Sequence, residues 1–535
     1  MPATGGGRRP EHGWCTLLQY TDRMHIRDPI HGAIEISADE RALVDSPQYQ
    51  RLRNVKQLGF ADLAFPGATH TRYAHGLGAM AVATRVFDAL APKLDLPDRD
   101  RDRLRQALRL SVLFHDLGHA PLSHATERIM PPAADLRIPD WTQPLKRRTP
   151  GRRANHEDYT LKLILDSGLA AEISARMGPR GIEPSHIAAL ISGQKPPGGN
   201  PFTVGDRDLL PLLRQIVSGE LDADRMDYLQ RDSFFTGVNY GKFDLDWIVQ
   251  NLETVERAGR VHLALQHRAV FAFEDFLLSR YHMFLSVYFH YASVGYEQLL
   301  QRYCDTSGGE YELPADVDEY LEHDDVTLTA ALRASKNPWA MRIVRRQGYR
   351  LLLERGPFLD PRGAPDLEEG LSLLASSGID GFITLSRGIL ATYGRTRPSG
   401  CERREAKCRS PSTRRSTSAT RSRRCFRAST FRRNDSTRRA GWSIPDQEFG
   451  ARRTARITAA LPSKGTARAT TATRMSGPVA LRSRSWCSEG GWPPRTETRR
   501  ATSTRSTAAK RSARAAPESC AGSDAPASSA KAGLA

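Results

Sequence analysis

The chain has 535 residues and a formal net charge of +18, and the positive charge is concentrated in its last quarter. Residues 401–535 carry 30 Lys and Arg against 9 Asp and Glu, whereas residues 1–400 have a net charge of −3. This length is typical of two or three domains. Only Cys15 and Cys304 precede residue 400, no apolar stretch reaches membrane-spanning length, and the N-terminus lacks a signal-peptide core. We therefore expect a reduced, soluble, cytoplasmic protein without a membrane partner.

Hydrophobic periodicity predicts a mainly helical chain over residues 22–391. Apolar residues recur every third position from Tyr49 to Leu58, which suits one face of a helix. The first predicted helices are SPQYQRLRNVKQLG (46–59), HGLGAMAVATRVFDALAPKL (75–94) and DRDRDRLRQALRLSVLFHDLGH (98–119). The acidic start of the third segment favours a helix N-terminus, and Pro121 marks its end just after His119.

The later part of the helical region contains one predicted strand and several helices. Prolines and arginines in 130–154 indicate a surface loop, and alternation in VHLALQH (261–267) indicates a strand. FAFEDFLLSRYHMFLSVYFHYASVGYEQLL (271–300) is predicted as one long aromatic helix. Further helices are predicted from DEYLEHDD (318–325) to GYRLLLERG (348–356), with a Gly- and Pro-rich break at 356–365. The predicted fold class is all-α with minor β elements.

The chain changes character past about residue 395, where Arg, Ser, Thr, Ala, Gly and Pro dominate and periodicity vanishes. Such a segment cannot bury enough apolar surface to offset its chain entropy, so we expect a disordered basic tail. Its charge suits binding of RNA or DNA. Sparse aromatics and scattered cysteines favour a second hypothesis, a frameshifted reading of G+C-rich DNA. Resequencing the gene across codons 385–410 tests that hypothesis.

Four short motifs contain the candidate metal ligands: THTRYAH (69–75), FHDLGHAPLSH (114–124), NHED (155–158) and LDADRMDY (221–228). His75, the His115–Asp116 pair and Asp224 form an H…HD…D set, whose nitrogen and oxygen donors suit a divalent transition ion. His115 and His119 are four residues apart, which predicts one helix face. Taken singly, a buried histidine is more often a core residue, and Asp224 alone could be a helix cap. The combination favours a metal site.

The order H…HD…D, with HDLGHAPLSH, resembles the HD-domain phosphohydrolase superfamily. RDPIHGAIEI, FPGATHTRYAHGLG and LDADRMDYLQRD are more closely similar to the deoxynucleoside triphosphate (dNTP) triphosphohydrolases, the mammalian SAM-and-HD-domain enzyme and its bacterial relatives. The resemblance covers residues 28–296 and weakens to about 390, and we expect no SAM domain in this sequence. It implies a flexible N-terminus (1–21), an HD-domain catalytic core (22–300), a helical extension (301–394) and the tail (395–535).

The resemblance implies a role for each matching residue. The metal ligands are His75, His115, Asp116 and Asp224. The catalytic residues near the scissile α-phosphate are His119, His124, His156 and Glu127, which orients His124. The cations around the triphosphate are Arg72, Arg225 and Arg280, with Arg225 where lysine is usual. The deoxyribose is held by Gln57, Tyr228, Asp232 and Tyr288. Alternatively, Arg72 and Arg280 pair with carboxylates on solvated faces, and Tyr228 and Tyr288 are aromatic residues of the helical core.

These roles fit one hydrolytic mechanism with a divalent ion (Mn, Fe, Zn, Ni, Co or Mg). The ion lowers the pKa of water and polarises an α-phosphate oxygen, and the arginines neutralise triphosphate charge. Protonated His124, held by Glu127, donates a proton to the departing 5′ oxygen. The products are a deoxynucleoside and inorganic triphosphate. Phe284 and Tyr291 replace a histidine and a lysine common in the family, which alters the base-side contacts.

The resemblance also implies regulation and assembly. Asp45, Gln50 and Arg53 match residues that bind a guanine-nucleotide activator at a subunit interface of a dimer or tetramer, although Met24 replaces a phosphate-binding lysine. Alternatively, Asp45 or Ser46 is an ordinary helix cap. Two other functions stay open: hydrolysis of another nucleotide or signalling nucleotide, which comparing dATP with ATP distinguishes, and salt-sensitive nucleic-acid binding by the tail.

Overall fold

The computed structural model describes residues 23–144, 149–355 and 366–388, together with two strands at 425–426 and 452–459. Helices predominate among these residues and the sheets are small, which confirms the predicted mainly helical class. The α-helices are α1 (Ala38–Val44), α2 (Pro47–Gln50), α3 (Arg72–Leu94), α4 (Asp98–Phe114), α5 (His156–Leu165), α6 (Gly168–Met177), α7 (Pro184–Ser192), α8 (Leu210–Val217), α9 (Ala223–Thr236), α10 (Leu245–Gln250), α11 (Val270–Met283), α12 (Tyr291–Thr306), α13 (Val317–Leu321), α14 (Asp325–Ala334), α15 (Pro338–Val344) and α16 (Leu367–Ser376). The strands are β1 (Arg23–Asp28), β2 (Gly32–Ser37), β3 (Thr203–Val204), β4 (Arg207–Asp208), β5 (Leu252–Arg257), β6 (Arg260–Gln266), β7 (Arg350–Arg355), β8 (Gly381–Gly388), β9 (Cys425–Phe426) and β10 (Arg452–Ala459).

Helix α3 lies in the hydrophobic core and packs against α4 and α9. Its apolar residues Met80, Ala83 and Leu90 recur at helical intervals and are fully buried. Gly78 allows the close approach of α9, because a Cβ at this position would lie 2.1 Å from the guanidinium of Arg231. The predicted helix over 75–94 is therefore confirmed, and it begins three residues earlier than expected.

Helix α4 ends at Phe114 and not at His119, so the predicted C-terminal end of this helix is wrong. Residues 115–118 form a turn that packs on the start of α5. A Cβ on Gly118 would lie 2.1 Å from the carbonyl oxygen of His156, and the Gly118 N–H donates to Thr160 Oγ1 at 2.9 Å. This turn separates His115 from His119, so the two imidazoles do not share a helix face.

Tertiary contacts also shorten the helix predicted over 46–59. Helix α2 ends at Gln50 and a 3-10 turn follows over Arg51–Asn54. The buried guanidinium of Arg51 donates to the carbonyl oxygen of His323 at 2.8 Å, and the Lys56 N–H donates to Asp325 Oδ2 at 3.1 Å. These bonds tie the segment to the start of α14, so periodicity alone gave the wrong length.

The long aromatic helix predicted over 271–300 is interrupted. Helix α11 ends at Met283, a π-helical turn covers Phe284–Tyr288, and α12 begins at Tyr291. The His290 side chain accepts the Ala292 N–H at 3.3 Å and so caps the second helix. Such π-turns often occur at functional sites, and this one lines the cavity described below.

The sheets are small, and one of them corrects a second prediction. Strands β1 and β2 pair antiparallel, as do β5 and β6, and β6 confirms the strand predicted over 261–267. The segment Arg350–Arg355 is strand β7 and not a helix, because it pairs with the distant strand β10. The predicted break at 356–365 lies outside the described residues.

Two short segments of the predicted tail are strands. Strand β10 pairs antiparallel with β7 and β8, and β9 pairs with β6. For these residues the structure differs from the predicted disorder, since their backbone groups have partners in the sheets. The other residues of 395–535 lie outside the described part of the chain. Among the described helices, none combines the length and the apolar composition that crossing a membrane requires.

Candidate active site

Three of the four predicted metal ligands converge at one point. His75 lies in the first turn of α3, His115 directly follows α4, and Asp224 lies in the first turn of α9. Asp224 Oδ1 is 3.1 Å from His75 Nε2 and 3.5 Å from His115 Nε2. The ligand atoms of all three residues lie within 4.8 Å of one another, a spacing that allows joint coordination of one ion.

Hydrogen bonds on the far side of each imidazole direct the free nitrogen into the site. His75 Nδ1 bonds Asp227 Oδ2 at 2.7 Å, and His115 Nδ1 bonds the carbonyl oxygen of Val112 at 2.6 Å. Bonds of this kind fix the tautomer of metal-binding histidines. Both Nε2 atoms are buried without a hydrogen-bond partner among the described residues. This donor set fits a divalent transition ion.

The charges around the trio of His75, His115 and Asp224 favour the binding of a cation. Burial lowers the pKa of His75, but the nearby carboxylates of Asp224 and Asp227 outweigh burial and raise that pKa to about 10. Burial raises the pKa of Asp224, yet the two histidines hold it below its ordinary value. The carboxylates therefore stay ionised and attract positive charge, which a divalent ion provides more strongly than a proton.

Asp116, the fourth predicted ligand, lies beside the trio. Its carboxylate oxygens are 3.4 Å from His115 Nε2 and 3.7 Å from His75 Nε2. One of them also accepts a hydrogen bond from the buried guanidinium of Arg72. Burial raises the pKa of Asp116, but His115 and Arg72 lower it well below its usual range, so the carboxylate stays charged. Asp116 is thus within reach of the same ion.

A buried ion-pair network supports the site from behind, and the sequence analysis did not identify it. Asp227 bonds His75 Nδ1, His31 Nε2 (2.6 Å) and Arg231 Nε (2.9 Å). Arg231 also donates to Asp28 Oδ2 at 2.8 Å. The available signal was spacing, because Asp227 follows Asp224 by three residues and so lies near it on α9. Asp227 orients His75 in the manner of a carboxylate–histidine–metal triad.

Replacing Arg231 with alanine is expected to lower the free energy of unfolding by about 3–5 kcal/mol, because Asp28 and Asp227 lose their buried cation. Circular dichroism during urea unfolding measures this change. Arg180→Ala is a matched control, since its ion pair with Asp39 is exposed and such pairs contribute at most about 1 kcal/mol. Equal destabilisation by the two substitutions would contradict the role given to Arg231.

A second cluster next to the trio gathers the predicted catalytic histidines. The rings of His119 and His156 stack with centroids 4.0 Å apart, and His124 lies 5.2 Å and 5.1 Å from them, edge-on. His119 is nearly fully buried, whereas the side chain of His124 is 66% exposed. His124 is therefore the member of the cluster that solvent and a substrate reach most directly.

Glu127 holds two of these histidines at once. Its Oε1 bonds His124 Nδ1 at 3.0 Å, as predicted, and also bonds His156 Nδ1, which was not predicted. Burial raises the pKa of Glu127, but the two hydrogen bonds lower it well below its ordinary value, so the carboxylate is ionised. Burial together with Arg72 and His156 holds the pKa of His119 well below its usual value, so His119 is neutral.

The predicted substrate residues divide into two groups. A cavity of about 360 Å³ is lined by Gln57, Arg72, His124, Tyr228, Asp232 and Tyr288. Within it the Tyr288 hydroxyl donates to Asp232 Oδ2 at 2.8 Å, and Asp232 Oδ1 bonds His70 Nε2 at 2.8 Å. Arg225 and Arg280 do not line this cavity. They pair with Asp222 and Glu220 respectively; for Arg280 this is the carboxylate pairing of the alternative interpretation, although its side chain is largely buried and not on a solvated face.

The chain is similar to one family model, to several relatives and to solved structures. The HD associated region family matches residues 243–362. An uncharacterized protein of Methanocaldococcus jannaschii is 30% identical over 337 residues, which cover 62% of this chain and 60% of that protein. The deoxynucleoside triphosphate triphosphohydrolase SAMHD1 homolog of Dictyostelium discoideum is 32% identical over 219 residues, 40% of this chain and 36% of that protein. A crystal structure of a hypothetical protein from Aquifex aeolicus has a TM-score of 0.51 and 26% identity, covering 70% of this chain and 87% of that chain.

The chain is related to the HD-domain phosphohydrolases. It spans 60% or less of the length of the two curated relatives named above. The HD associated region match crosses residue 300, where the sequence analysis placed the end of the catalytic core. The His115–Asp116 pair, which belongs to the predicted H…HD…D set, lies at the centre of the geometry described above.

The residues predicted to bind a guanine nucleotide lie together at the surface near α2. Arg53 Nε donates to Gln50 Oε1 at 2.7 Å, and its guanidinium lies 3.7 Å from the ring centroid of Tyr73. Asp45 is the C-cap of α1 and pairs with Arg41 at 3.5 Å, while Ser46 caps α2. The capping alternative therefore describes Ser46, and nucleotide binding by this HD-related chain stays a prediction.

Proposed function

We propose that the chain hydrolyses deoxynucleoside triphosphates to a deoxynucleoside and inorganic triphosphate. The observation that carries this proposal is the convergence of His75, His115 and Asp224 beside a histidine cluster held by one glutamate. The named activity of the Dictyostelium relative supports the substrate class. An assembly of several subunits, as in the predicted family, belongs to the same proposal.

The residues of the chain divide the chemical work between them. His75, His115, Asp116 and Asp224 would hold a divalent ion, which would supply Lewis-acid stabilisation of negative charge and a lower pKa for water. Glu127 keeps His124 oriented, and a carboxylate at hydrogen-bond distance stabilises an imidazolium. His124 then donates its proton to the departing 5′ oxygen. His119, buried and neutral, orients a phosphate oxygen by hydrogen bonding through its unpartnered Nε2.

The sugar contacts support a deoxyribose over a ribose. The hydrogen bond from Tyr288 to Asp232 fixes the tyrosine ring, and the ring of Tyr228 packs edge-on against it with centroids 6.2 Å apart. Gln57 Oε1 is buried without a partner among the described residues and is available to accept a 3′-hydroxyl. In the proposed binding mode these two tyrosine rings pack against the sugar and exclude a 2′-hydroxyl.

Incubating the purified chain with dATP or ATP, in Mn²⁺ or Mg²⁺, tests this proposal. We expect inorganic triphosphate and deoxyadenosine from dATP, and turnover of ATP slower by about tenfold or more. Phosphorus NMR distinguishes triphosphate from pyrophosphate and phosphate. Equal turnover of ATP would favour the alternative of a different nucleotide, and release of pyrophosphate would contradict the proposed reaction.

A further inference from the structure

The cavity that holds the predicted sugar residues extends to helix α12, where polar groups lack partners. Ser293 and Glu297 both line the cavity and are four residues apart, hence on one face of α12. Ser293 is 4% exposed, and its Oγ has no hydrogen-bond partner among the described residues. Buried hydroxyls are normally hydrogen-bonded, so an unpartnered one that faces a cavity points to a ligand.

Glu297 differs from the other charged groups that face this cavity. Arg72 is bonded to Asp116, His124 to Glu127, and Asp232 to His70 and Tyr288. Glu297 has no hydrogen bond or ion pair with any residue in the described part of the chain. Burial alone raises the pKa of its carboxyl to about 7, because no neighbouring donor replaces the lost water.

The walls around these polar groups are aromatic and aliphatic. Phe284 and Phe289, from the π-helical turn and the residue after it, lie with ring centroids 5.4 Å apart. Leu58, Leu122 and Val287 complete the apolar lining. A mostly apolar and aromatic cavity with a few convergent polar groups is the usual construction of a site for a small organic ligand, and a nucleobase is such a group.

We propose that Ser293 and Glu297 select the nucleobase of the substrate, favouring bases that carry an exocyclic amino group over uracil and thymine. This inference rests on the proposed function, since it places the base of a deoxynucleoside triphosphate at the α12 end of the cavity. The Glu297 carboxylate is an acceptor, and amino N–H groups are donors that satisfy it. Uracil and thymine place a carbonyl oxygen at the same position. Two acceptor oxygens then face each other, and the Glu297 carboxylate is left without a hydrogen-bond donor.

The test compares dCTP with dUTP, two nucleotides that differ only at position 4 and the adjacent ring nitrogen. Binding of each to the full chain is measured by calorimetry at pH 8 in EDTA, so no turnover is required. We expect dCTP to bind more tightly than dUTP by about tenfold or more. Glu297→Leu should abolish this ratio, and Glu297→Gln should shrink it because an amide also donates to a carbonyl oxygen. Glu274→Gln, on the exposed face of α11, is the matched control and should leave the ratio unchanged.

The possible outcomes separate this inference from the proposed function. A wild-type ratio near one, or a ratio that both Glu297 variants retain, overturns the inference even if dNTPs are hydrolysed. A ratio that Glu297→Leu abolishes and Glu297→Gln reduces supports the inference even if no hydrolysis occurs with Mn²⁺. If Glu297→Leu does not fold, the test depends on Glu297→Gln, whose side chain has the same shape and leaves the helix packing unchanged. A reduced ratio of dCTP to dUTP affinity in that variant then supports the inference, and an unchanged ratio overturns it.

Discussion

Replacing Asp224 with alanine is expected to strip the protein of its divalent ion and to slow dNTP hydrolysis by about a thousandfold or more. Asp224 Oδ1 lies between His75 Nε2 and His115 Nε2, so its loss removes the ligand nearest to both imidazoles. Lewis-acid stabilisation contributes several kcal/mol to a transition state, and about 1.4 kcal/mol corresponds to a tenfold change in rate. Asp224→Asn should show a smaller loss of metal, because its carbonyl oxygen still coordinates.

Metal content after dialysis, measured by inductively coupled plasma mass spectrometry, is the direct readout for the Asp224 variants. Asp305→Asn is the matched control, since Asp305 is exposed at the end of α12. Circular dichroism verifies that each variant is folded. Full metal content in folded Asp224→Ala would contradict the assignment of this carboxylate as a ligand, whatever its effect on turnover.

Replacing Glu127 with glutamine is expected to slow hydrolysis by about a hundredfold or more while the metal content stays unchanged. The ionised carboxylate bonds both His124 and His156, and a neutral amide cannot stabilise a protonated imidazole. General acid–base catalysis typically contributes about a hundredfold to ten-thousandfold. His124→Ala should abolish turnover and also leave the metal bound.

A double-substitution cycle distinguishes positioning by Glu127 from a purely structural role. If Glu127 acts mainly through His124, then adding Glu127→Gln to the His124→Ala protein should cause little further loss of activity. Independent effects that multiply in the double variant would show that Glu127 works through His156 or through the fold. A loss of metal in Glu127→Gln would show that the two clusters are not separate.

The site residues could be predicted where polar, metal-binding residue types occur in short motifs of the sequence. His75, His115 and Asp224 belong to distinctive polar motifs flanked by apolar helical segments, and the structure brings all three together. The i, i+3 spacing of His124 and Glu127 also predicted their hydrogen bond, although the helix there is 3-10 and not α. By contrast, the pairing of His156 with Glu127 joins residues that are 29 positions apart, which no local spacing reveals.

The fold could be predicted where the apolar repeat of a helix runs over many residues and tertiary contacts do not end the helix early. The 23-residue helix α3 followed from its apolar face, whereas α2 and α4 ended early because of contacts with α14 and α5. The run LLLE within β7 was mistaken for a helix, since an apolar run fits either element until its partner strand is known. That partner, β10, lies about a hundred residues further along the chain.

Hydrolysis of dATP in water enriched with oxygen-18 tests the central claim most directly. The metal-loaded full chain is incubated with dATP, and both products are analysed by mass spectrometry. If water attacks the α-phosphorus beside His75, His115 and Asp224, one heavy oxygen appears in inorganic triphosphate and none in deoxyadenosine. Heavy oxygen in deoxyadenosine, or dAMP and pyrophosphate as products, would contradict the account.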